Sequence, residues 1–165
     1  MPARKKPTAN PAPTPSPNTE THRGRRPPSP EAKGRVLIVE DDVPLSTVVE
    51  AALTYEGYVV VGTARSAEQA ISLAVAHGPD LVLMDVRLLD NSDGIAAAGQ
   101  ILKRTGIRCL IATGQTDAKT KERAALVQPL GWLPKPYGNE EVVQAVADAL
   151  RCKSASCARH RSSDN

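Results

Sequence analysis

Five short apolar runs recur along the middle of the chain, and a polar stretch follows each of them. The runs lie at residues 35–40, 58–61, 81–85, 107–112 and 131–133. Continuous apolar runs of this length are typical of strands buried on both faces, as in parallel sheets. The run at 81–85 is the clearest, since four apolar residues precede a single acid, Asp85.

The segments between these runs have the apolar spacing of amphipathic helices. The first helical face consists of Leu45, Val48, Val49, Ala52 and Leu53. Pro44 suits the first turn of that helix, and Gly57 ends it. Ser66 and Gln69 predict a capping box at the start of the second helix. Five strands that alternate with five helices predict a parallel sheet covered by helices on both sides.

The uneven charge of the chain separates a folded region from two tails. The net charge is +3, yet residues 35–150 carry fifteen acidic and ten basic side chains. Residues 1–34 hold seven Lys or Arg against two Glu and are rich in Pro. We therefore expect a disordered, basic, Pro-rich tail at 1–33, one folded domain at 34–151 and a second disordered basic tail at 152–165.

Cysteine usage and hydropathy indicate the compartment. Cys109, Cys152 and Cys157 are an odd number without a CxxC pair, which favours a reducing environment over a disulfide framework or a zinc site. The N-terminus lacks the apolar region of a secretory signal, and no run approaches eighteen apolar residues. We expect a cytoplasmic protein without a membrane span. The sequence also lacks a Gly-x-Ser-x-Gly elbow and a Walker-type phosphate loop.

Chemically active side chains collect where the predicted strands end. Glu40 and Asp41 end the first strand, Asp85 ends the third, and Thr113 and Lys135 follow the fourth and fifth. Carboxyl ends of parallel strands meet at one edge of a sheet, where open sheets bind their ligands. Clustered carboxylates repel one another unless a cation lies among them, and Mg²⁺ prefers such oxygen ligands. With a lysine and a hydroxyl beside it, this set suits phosphoryl transfer to an oxygen nucleophile.

Four motifs, taken in this order, resemble the receiver domain of bacterial two-component response regulators. They are VLIVEDD at 36–42, LVLMD at 81–85, IATG at 111–114 and LPKP at 133–136. The resemblance covers about residues 34–151. It implies a flavodoxin-like, doubly wound (βα)5 fold with five parallel strands in the order 2-1-3-4-5. It also implies a cis peptide bond within LPKP, which an X-Pro bond allows at low energetic cost.

The resemblance makes Asp85 the phosphoacceptor and implies a Mg²⁺ site around it. Asp41 becomes a direct Mg²⁺ ligand, and Glu40 becomes the adjacent acid, often acting through water. The main-chain carbonyl of Arg87 takes a further ligand position. Asp42 falls one place past the acid pair, and we interpret it as the cap of the first helix.

The resemblance assigns phosphoryl-binding and switch roles to residues near the ends of the last two strands. Thr113 becomes the switch hydroxyl, and Lys135 becomes the cation that contacts the phosphoryl group. Gly114 leaves room for an approaching phosphoryl group. Trp132 takes the aromatic switch position, where Tyr or Phe is usual. Without the resemblance, plain core packing is an equally good interpretation of this tryptophan.

Three further features of the resemblance concern the lifetime of the phosphorylated state and the output. Arg87 and Gln115 stand where side chains tune dephosphorylation in the family. The loop at 88–94 is one residue longer than the commonest pattern and resembles a subset of single-domain regulators. The residues after 150 are too few for an output domain, so we expect a stand-alone regulator that signals by protein contacts.

The function implied by the resemblance is signalling rather than conventional enzyme activity. A histidine kinase or a histidine phosphotransfer protein would donate the phosphoryl group in the presence of Mg²⁺. A downstream protein would then bind the face formed by helix 4, strand 5 and helix 5. Two alternatives remain open. One is a nucleic-acid-binding protein that uses its basic tails, and the other is a pseudo-receiver that switches without phosphate.

Overall fold

The computed structural model describes the backbone of residues 32–88, 92–114 and 118–161, and the side chains of this part as far as Lys153. Five strands and five helices alternate along it. Their bounds are β1 (Arg35–Val39), α1 (Val43–Tyr55), β2 (Val59–Ala64), α2 (Ala67–His77), β3 (Leu81–Asp85), α3 (Gly94–Thr105), β4 (Cys109–Thr113), α4 (Ala118–Ala125), β5 (Gly131–Pro134) and α5 (Asn139–Arg161). The predicted alternation of strands and helices is confirmed.

The five strands form one parallel sheet in the order β2-β1-β3-β4-β5, which confirms the predicted fold. Strand β3 lies at the centre, where Val82 pairs with Leu37 of β1 and with Cys109 of β4. Every residue of β3 and β4 is buried. Burial on both faces explains why these strands are continuous apolar runs rather than alternating ones.

Two apolar layers hold the sheet between the helices. On one side, Leu37 and Met84 pack into a layer to which α2 and α3 contribute. On the other side, Ile38 and Leu83 pack into a layer to which α1 and α5 contribute. Successive strand residues point to opposite faces, so each central strand contributes side chains to both layers.

Helix ends fall where the local sequence supplies caps. At the start of α1 the side chain of Asp42 accepts a hydrogen bond from the Leu45 N–H at 3.0 Å. At the start of α2 the Ser66 hydroxyl accepts one from the Gln69 N–H at 3.3 Å. The predicted caps at Asp42 and Ser66 are confirmed, but the Gln69 side chain accepts from the Arg65 N–H at 3.0 Å, so the capping box itself is only half formed. Gly78 ends α2 with a left-handed φ of 53°, which glycine adopts without a steric penalty.

Two strands begin or end at least two residues away from the bounds of their apolar runs. Strand β4 begins at Cys109 rather than Ile107, because pairing with β3 starts between Val82 and Cys109. Strand β2 continues to Ala64, because its last residues pair with β1 as far as Val39. Strand bounds therefore follow the neighbouring strand as well as the local apolar pattern.

Helix α5 is longer than its apolar face. Its backbone is helical to Arg161, whereas the apolar spacing ends at Leu150, so the predicted boundary at residue 151 falls within the helix. Lys153, which lies beyond the apolar face, donates to the carbonyl oxygen of Asp80, the residue before β3, at 2.8 Å. Neither α5 nor any other helix of the described residues is long and apolar enough to cross a lipid bilayer. Of the predicted tails at 1–33 and 152–165, residues 1–31 and 162–165 lie outside the described residues, whereas the backbone of residues 152–161 is helical.

Candidate functional site

Five of the predicted site residues lie at one edge of the sheet. Glu40 and Asp41 follow β1, Asp85 is the last residue of β3, Thr113 is the last residue of β4, and Lys135 follows β5. All the strands are parallel, so their carboxyl ends share this edge. The sequence correctly predicts that the strand ends bring these residues together.

Lys135 joins two of the carboxylates. Its Nζ lies 2.6 Å from Glu40 Oε2 and 2.6 Å from Asp85 Oδ2. The Lys135 N–H also donates to the Thr113 carbonyl oxygen at 2.9 Å, which fixes the lysine backbone beside β4. The bond between Lys135 and Pro136 is cis, as the resemblance implies. The lysine is therefore held at the centre of the cluster.

The carboxylates form a compact acidic cluster. Oxygen atoms of Glu40, Asp41 and Asp85 all lie within 4.8 Å of one another. Only 4% of Glu40 and 8% of Asp85 is exposed. Burial raises the pKa of Glu40, and the hydrogen bond from Lys135 opposes that rise. Burial lowers the pKa of Lys135, but its hydrogen bonds to Asp85 and Glu40 outweigh burial and the pKa is raised overall.

The donor chemistry of this cluster fits a divalent cation. When all four groups are ionised, three carboxylates share one ammonium group, which leaves negative charge uncompensated. Hard cations such as Mg²⁺ bind carboxylate oxygens in sites of this kind. The residues present therefore match the metal that the resemblance implies.

The main chain around Asp85 is tightly packed. The Arg87 N–H donates to Asp85 Oδ1 at 3.2 Å, so the second carboxylate oxygen also has a partner. Gly94, the first residue of α3, lies against the carbonyl group of Asp85. A Cβ at position 94 would overlap the carbonyl oxygen and lie 2.9 Å from the carbonyl carbon. Only glycine lets α3 begin this close to Asp85.

The sequence predicts only a loop at 88–94 and does not predict the packing of Gly94 against Asp85. A signal does exist in the sequence. Glycine is unfavourable within a helix, yet Gly94 stands between the N-cap Asp93 and the buried helical residue Ile95. A glycine at the first helical position often marks a close approach of two backbones.

The remaining predicted residues lie around this cluster. Thr113 is buried, and Gly114 follows it at the surface. A Cβ at position 114 would lie 4.0 Å from its nearest neighbour, Lys135 Cβ, which is an ordinary contact without overlap. Trp132 is partly buried and packs against the layer that contains α2 and α3. The side chain of Arg87 is exposed. Their phosphoryl-binding, switch, tuning and metal-ligand roles remain predictions, and Gln115 lies outside the described residues.

An ion pair links the site to α4. The carboxylate of Asp93, which caps α3 by accepting from the Ile95 N–H at 2.9 Å, pairs with the guanidinium of Arg123 on α4. Asp93 also forms an isolated antiparallel bridge with Arg87. The segment after Asp85 is thus connected to a helix on the same side of the molecule.

Comparison with known proteins gives one consistent family. The sequence model of the response regulator receiver domain matches residues 36–147. Among curated proteins, the chain is 34% identical over 116 residues to the transcriptional regulatory protein PdtaR of Mycobacterium tuberculosis. That match covers 70% of this chain and 56% of PdtaR. The chain spans about half the length of the curated relatives it matches.

Solved structures give the same fold. The signal receiver domain of a modulated diguanylate cyclase from Desulfovibrio desulfuricans G20 matches with a TM-score of 0.68 and 28% identity, over 74% of this chain and 98% of that chain. The signal receiver domain of the putative response regulator NarL from Mycobacterium tuberculosis matches with a TM-score of 0.67 and 28% identity, over 73% and 98%. Both matched chains are receiver domains over nearly their whole length.

Proposed function

This chain belongs to the family of response regulator receiver domains, and from that premise we propose that Asp85 accepts a phosphoryl group from a phosphohistidine donor. The donor would be a histidine kinase or a histidine phosphotransfer protein. The observation that carries the proposal is the placement of Lys135 Nζ at 2.6 Å from both Glu40 Oε2 and Asp85 Oδ2. A cation beside the acceptor and an acid cluster around it are what phosphoryl transfer to a carboxylate requires.

The metal that we propose for this site is Mg²⁺. Asp41 and Asp85 would bind it directly, Glu40 would act directly or through water, and the main-chain carbonyl of Arg87 would complete the protein ligands. When bound, the ion neutralises charge on the phosphoryl oxygens and so lowers the barrier to attack by an anionic nucleophile. The compact grouping of the three carboxylates supports this assignment.

The transfer itself uses groups of this chain. A carboxylate oxygen of Asp85 forms a bond to phosphorus while the bond between phosphorus and the imidazole nitrogen of the donor breaks. The imidazole leaves with the electrons of that bond, and Asp85 becomes an acyl phosphate. The ammonium of Lys135 then pairs with a phosphoryl oxygen, and the hydroxyl of Thr113 donates a hydrogen bond to another.

We propose that phosphorylation of Asp85 changes a surface of the protein that binds a downstream partner. The phosphoryl group draws Thr113 toward it, Trp132 shifts in response, and the face formed by α4, β5 and α5 changes its affinity for a downstream protein. The ion pair between Arg123 on α4 and Asp93 supports this route, because it connects α4 to the segment that follows Asp85. Arg87 and Gln115 would set the lifetime of the acyl phosphate.

A transfer experiment tests the proposal. Full-length protein is mixed with a histidine kinase that carries radiolabelled phosphohistidine, with Mg²⁺ or with EDTA. We expect label to pass to the parent protein and to the Asp148→Asn variant, which changes an exposed carboxylate of α5. We expect no label on Asp85→Asn. Equal labelling of Asp85→Asn would refute the role of Asp85, and equal labelling in EDTA would refute the role of the metal.

A further inference from the structure

A groove between α1 and α5 lies on the surface of the molecule and has a volume of about 610 Å³. Its lining includes Val48, Tyr55 and Glu56 on one side and Glu140 and Val143 on the other. Tyr55 is 90% exposed, and Val48 is 49% exposed. An aromatic ring and aliphatic side chains left open to water indicate a surface that another segment covers.

The charge of the groove selects the kind of segment that fits it. Its charged lining residues are both acidic: Glu56, which pairs with Lys33 at 3.2 Å, and Glu140. A second surface groove, between α2 and α3, is lined by residues of opposite charge, Glu68 and Arg104. The α1–α5 groove therefore favours a basic segment that also carries apolar groups, whereas the α2–α3 groove has no such preference.

The first described residues of the chain lie beside the α1–α5 groove. Lys33 Nζ lies 3.2 Å from Oε2 of Glu56, a lining residue, and 5.9 Å from the centroid of the Tyr58 ring. The Lys33 N–H donates to the Gly57 carbonyl oxygen at 3.0 Å. The residues that precede Lys33 therefore start beside the groove.

The sequence just before Lys33 has the composition that the groove favours. Residues 23–30 read RGRRPPSP, with three arginines followed by three prolines. Proline-rich segments in the polyproline II conformation bind grooves that present aromatic rings. At roughly 3.1 Å per residue, ten such residues span about 30 Å. A helix of thirteen residues such as α1 is about 20 Å long, so this segment can cover the groove.

We propose that residues 23–30 of this chain bind the α1–α5 groove of the same molecule. The prolines contact Tyr55 and Val48, and the arginines, which lie farther from Lys33 along the chain, face Glu140. The short connection to Lys33 makes binding intramolecular, with an effective concentration on the order of millimolar. Any other protein that uses this face must first displace the segment.

Paramagnetic relaxation in the full-length protein tests the proposal. A nitroxide is attached at Thr21→Cys in a chain that also carries Cys152→Ser and Cys157→Ser. Cys109 is buried and its pKa is raised to about 12 by burial, so it does not take the label. We expect the amide signals of Val48 and Val143 to broaden more than that of Val75, which lines the α2–α3 groove.

Two variants separate specific binding from mere tethering. Tyr55→Ala removes the exposed ring, and Glu140→Lys reverses one charge of the groove. In each we expect the broadening at Val48 and Val143 to fall by about threefold, as the loss of one aromatic or charged contact predicts.

Broadening that is as strong at Val75, or that neither variant reduces, would overturn the proposal. Broadening that disappears when unlabelled protein is added in excess would also overturn it, since the groove would then bind a second copy. Broadening confined to the groove, unchanged on dilution and weakened by both variants, would establish it.

Discussion

The two edges of the sheet carry acidic residues in different surroundings. At the amino edge, Asp80 accepts hydrogen bonds from the Arg35 N–H at 3.0 Å and from Lys153 Nζ, so one carboxylate is matched by one ammonium group. At the carboxyl edge, Glu40, Asp41 and Asp85 share Lys135. The charges of the amino edge balance, whereas the carboxyl edge has an excess of negative charge.

The two edges also differ in exposure. The side chains of Lys153 and Asp80 are 43% and 37% exposed, so water screens their attraction. The side chains of Glu40 and Asp85 are only 5% and 11% exposed. Buried charges interact strongly, and unbalanced ones are costly unless a cation joins them. The ion pair of the amino edge is therefore complete without a ligand, whereas the carboxyl edge has the uncompensated negative charge that the proposed cation would neutralise.

The largest effect is expected at Gly94. In Gly94→Ala the new methyl group overlaps the carbonyl of Asp85, so the main chain of the site must move. We expect a loss of about 3 kcal/mol or more in the free energy of unfolding, measured by urea denaturation. Gly114→Ala is the matched control, because its Cβ would make only an ordinary contact with Lys135 Cβ at 4.0 Å, and it should change stability by less than about 1 kcal/mol. A Gly94→Ala protein as stable as the parent would contradict the close packing described here.

The next largest expected effect is a difference in stability between variants of Lys135 and of Lys153. Lys135→Met leaves the buried carboxylates of Glu40 and Asp85 without their cation, which should cost about 3 kcal/mol in EDTA. Lys153→Met removes a partly exposed ion pair and should cost less than about 1 kcal/mol. Added Mg²⁺ should stabilise both variants, and Lys135→Met by the larger amount, because the ion there replaces the lost ammonium group. Equal losses in the two variants would show that the edges do not differ as proposed.

The sequence predicts the sheet and the residues at its carboxyl edge, but it does not predict all the contacts that those residues make. The apolar runs predict the sheet, and the parallel order places Asp85, Thr113 and Lys135 at one edge. The contact of Gly94 with Asp85 depends on where α3 meets β3, which local spacing does not encode. The extent of β2 to Ala64 depends likewise on its pairing with β1, since residues 62–64 form no apolar run.

The amino edge is harder to predict from the sequence for the same reason. Lys153 reaches Asp80 across 73 positions of the chain, and the apolar spacing of α5 has already ended at Leu150. Sequence patterns therefore locate residues that end a strand, but they do not show which distant side chain will pair with them.

Magnesium should affect only one edge. A ligand at ten times its dissociation constant stabilises a folded protein by about 1.4 kcal/mol. We expect Mg²⁺ to raise the melting temperature of the parent and of Asp80→Asn by similar amounts. We expect Asp41→Asn to lose most of this stabilisation, because a proposed ligand is gone. A thermal unfolding series over Mg²⁺ concentration measures the effect, and an unchanged response of Asp41→Asn would argue against the site.

The smallest expected effect is a change in the free energy of unfolding, measured in EDTA, that has opposite signs in two variants. Asp41→Asn removes one of three mutually repelling carboxylates and should stabilise the protein by about 0.5 kcal/mol. Asp80→Asn weakens the hydrogen bonds from Arg35 and Lys153 and should destabilise it by about 1 kcal/mol. Urea midpoints of both variants, measured against the parent, give the two signs. If both variants are destabilised equally, the acidic cluster carries no excess charge.

The most direct test of the central claim locates the phosphoryl group. Full-length protein is treated with acetyl phosphate and Mg²⁺, and borohydride then reduces any aspartyl phosphate to homoserine. Mass spectrometry of the peptides identifies the position that has changed. We expect homoserine at position 85 when Mg²⁺ is present and none when EDTA replaces it. Homoserine at another position, or at position 85 regardless of the metal, would contradict the account.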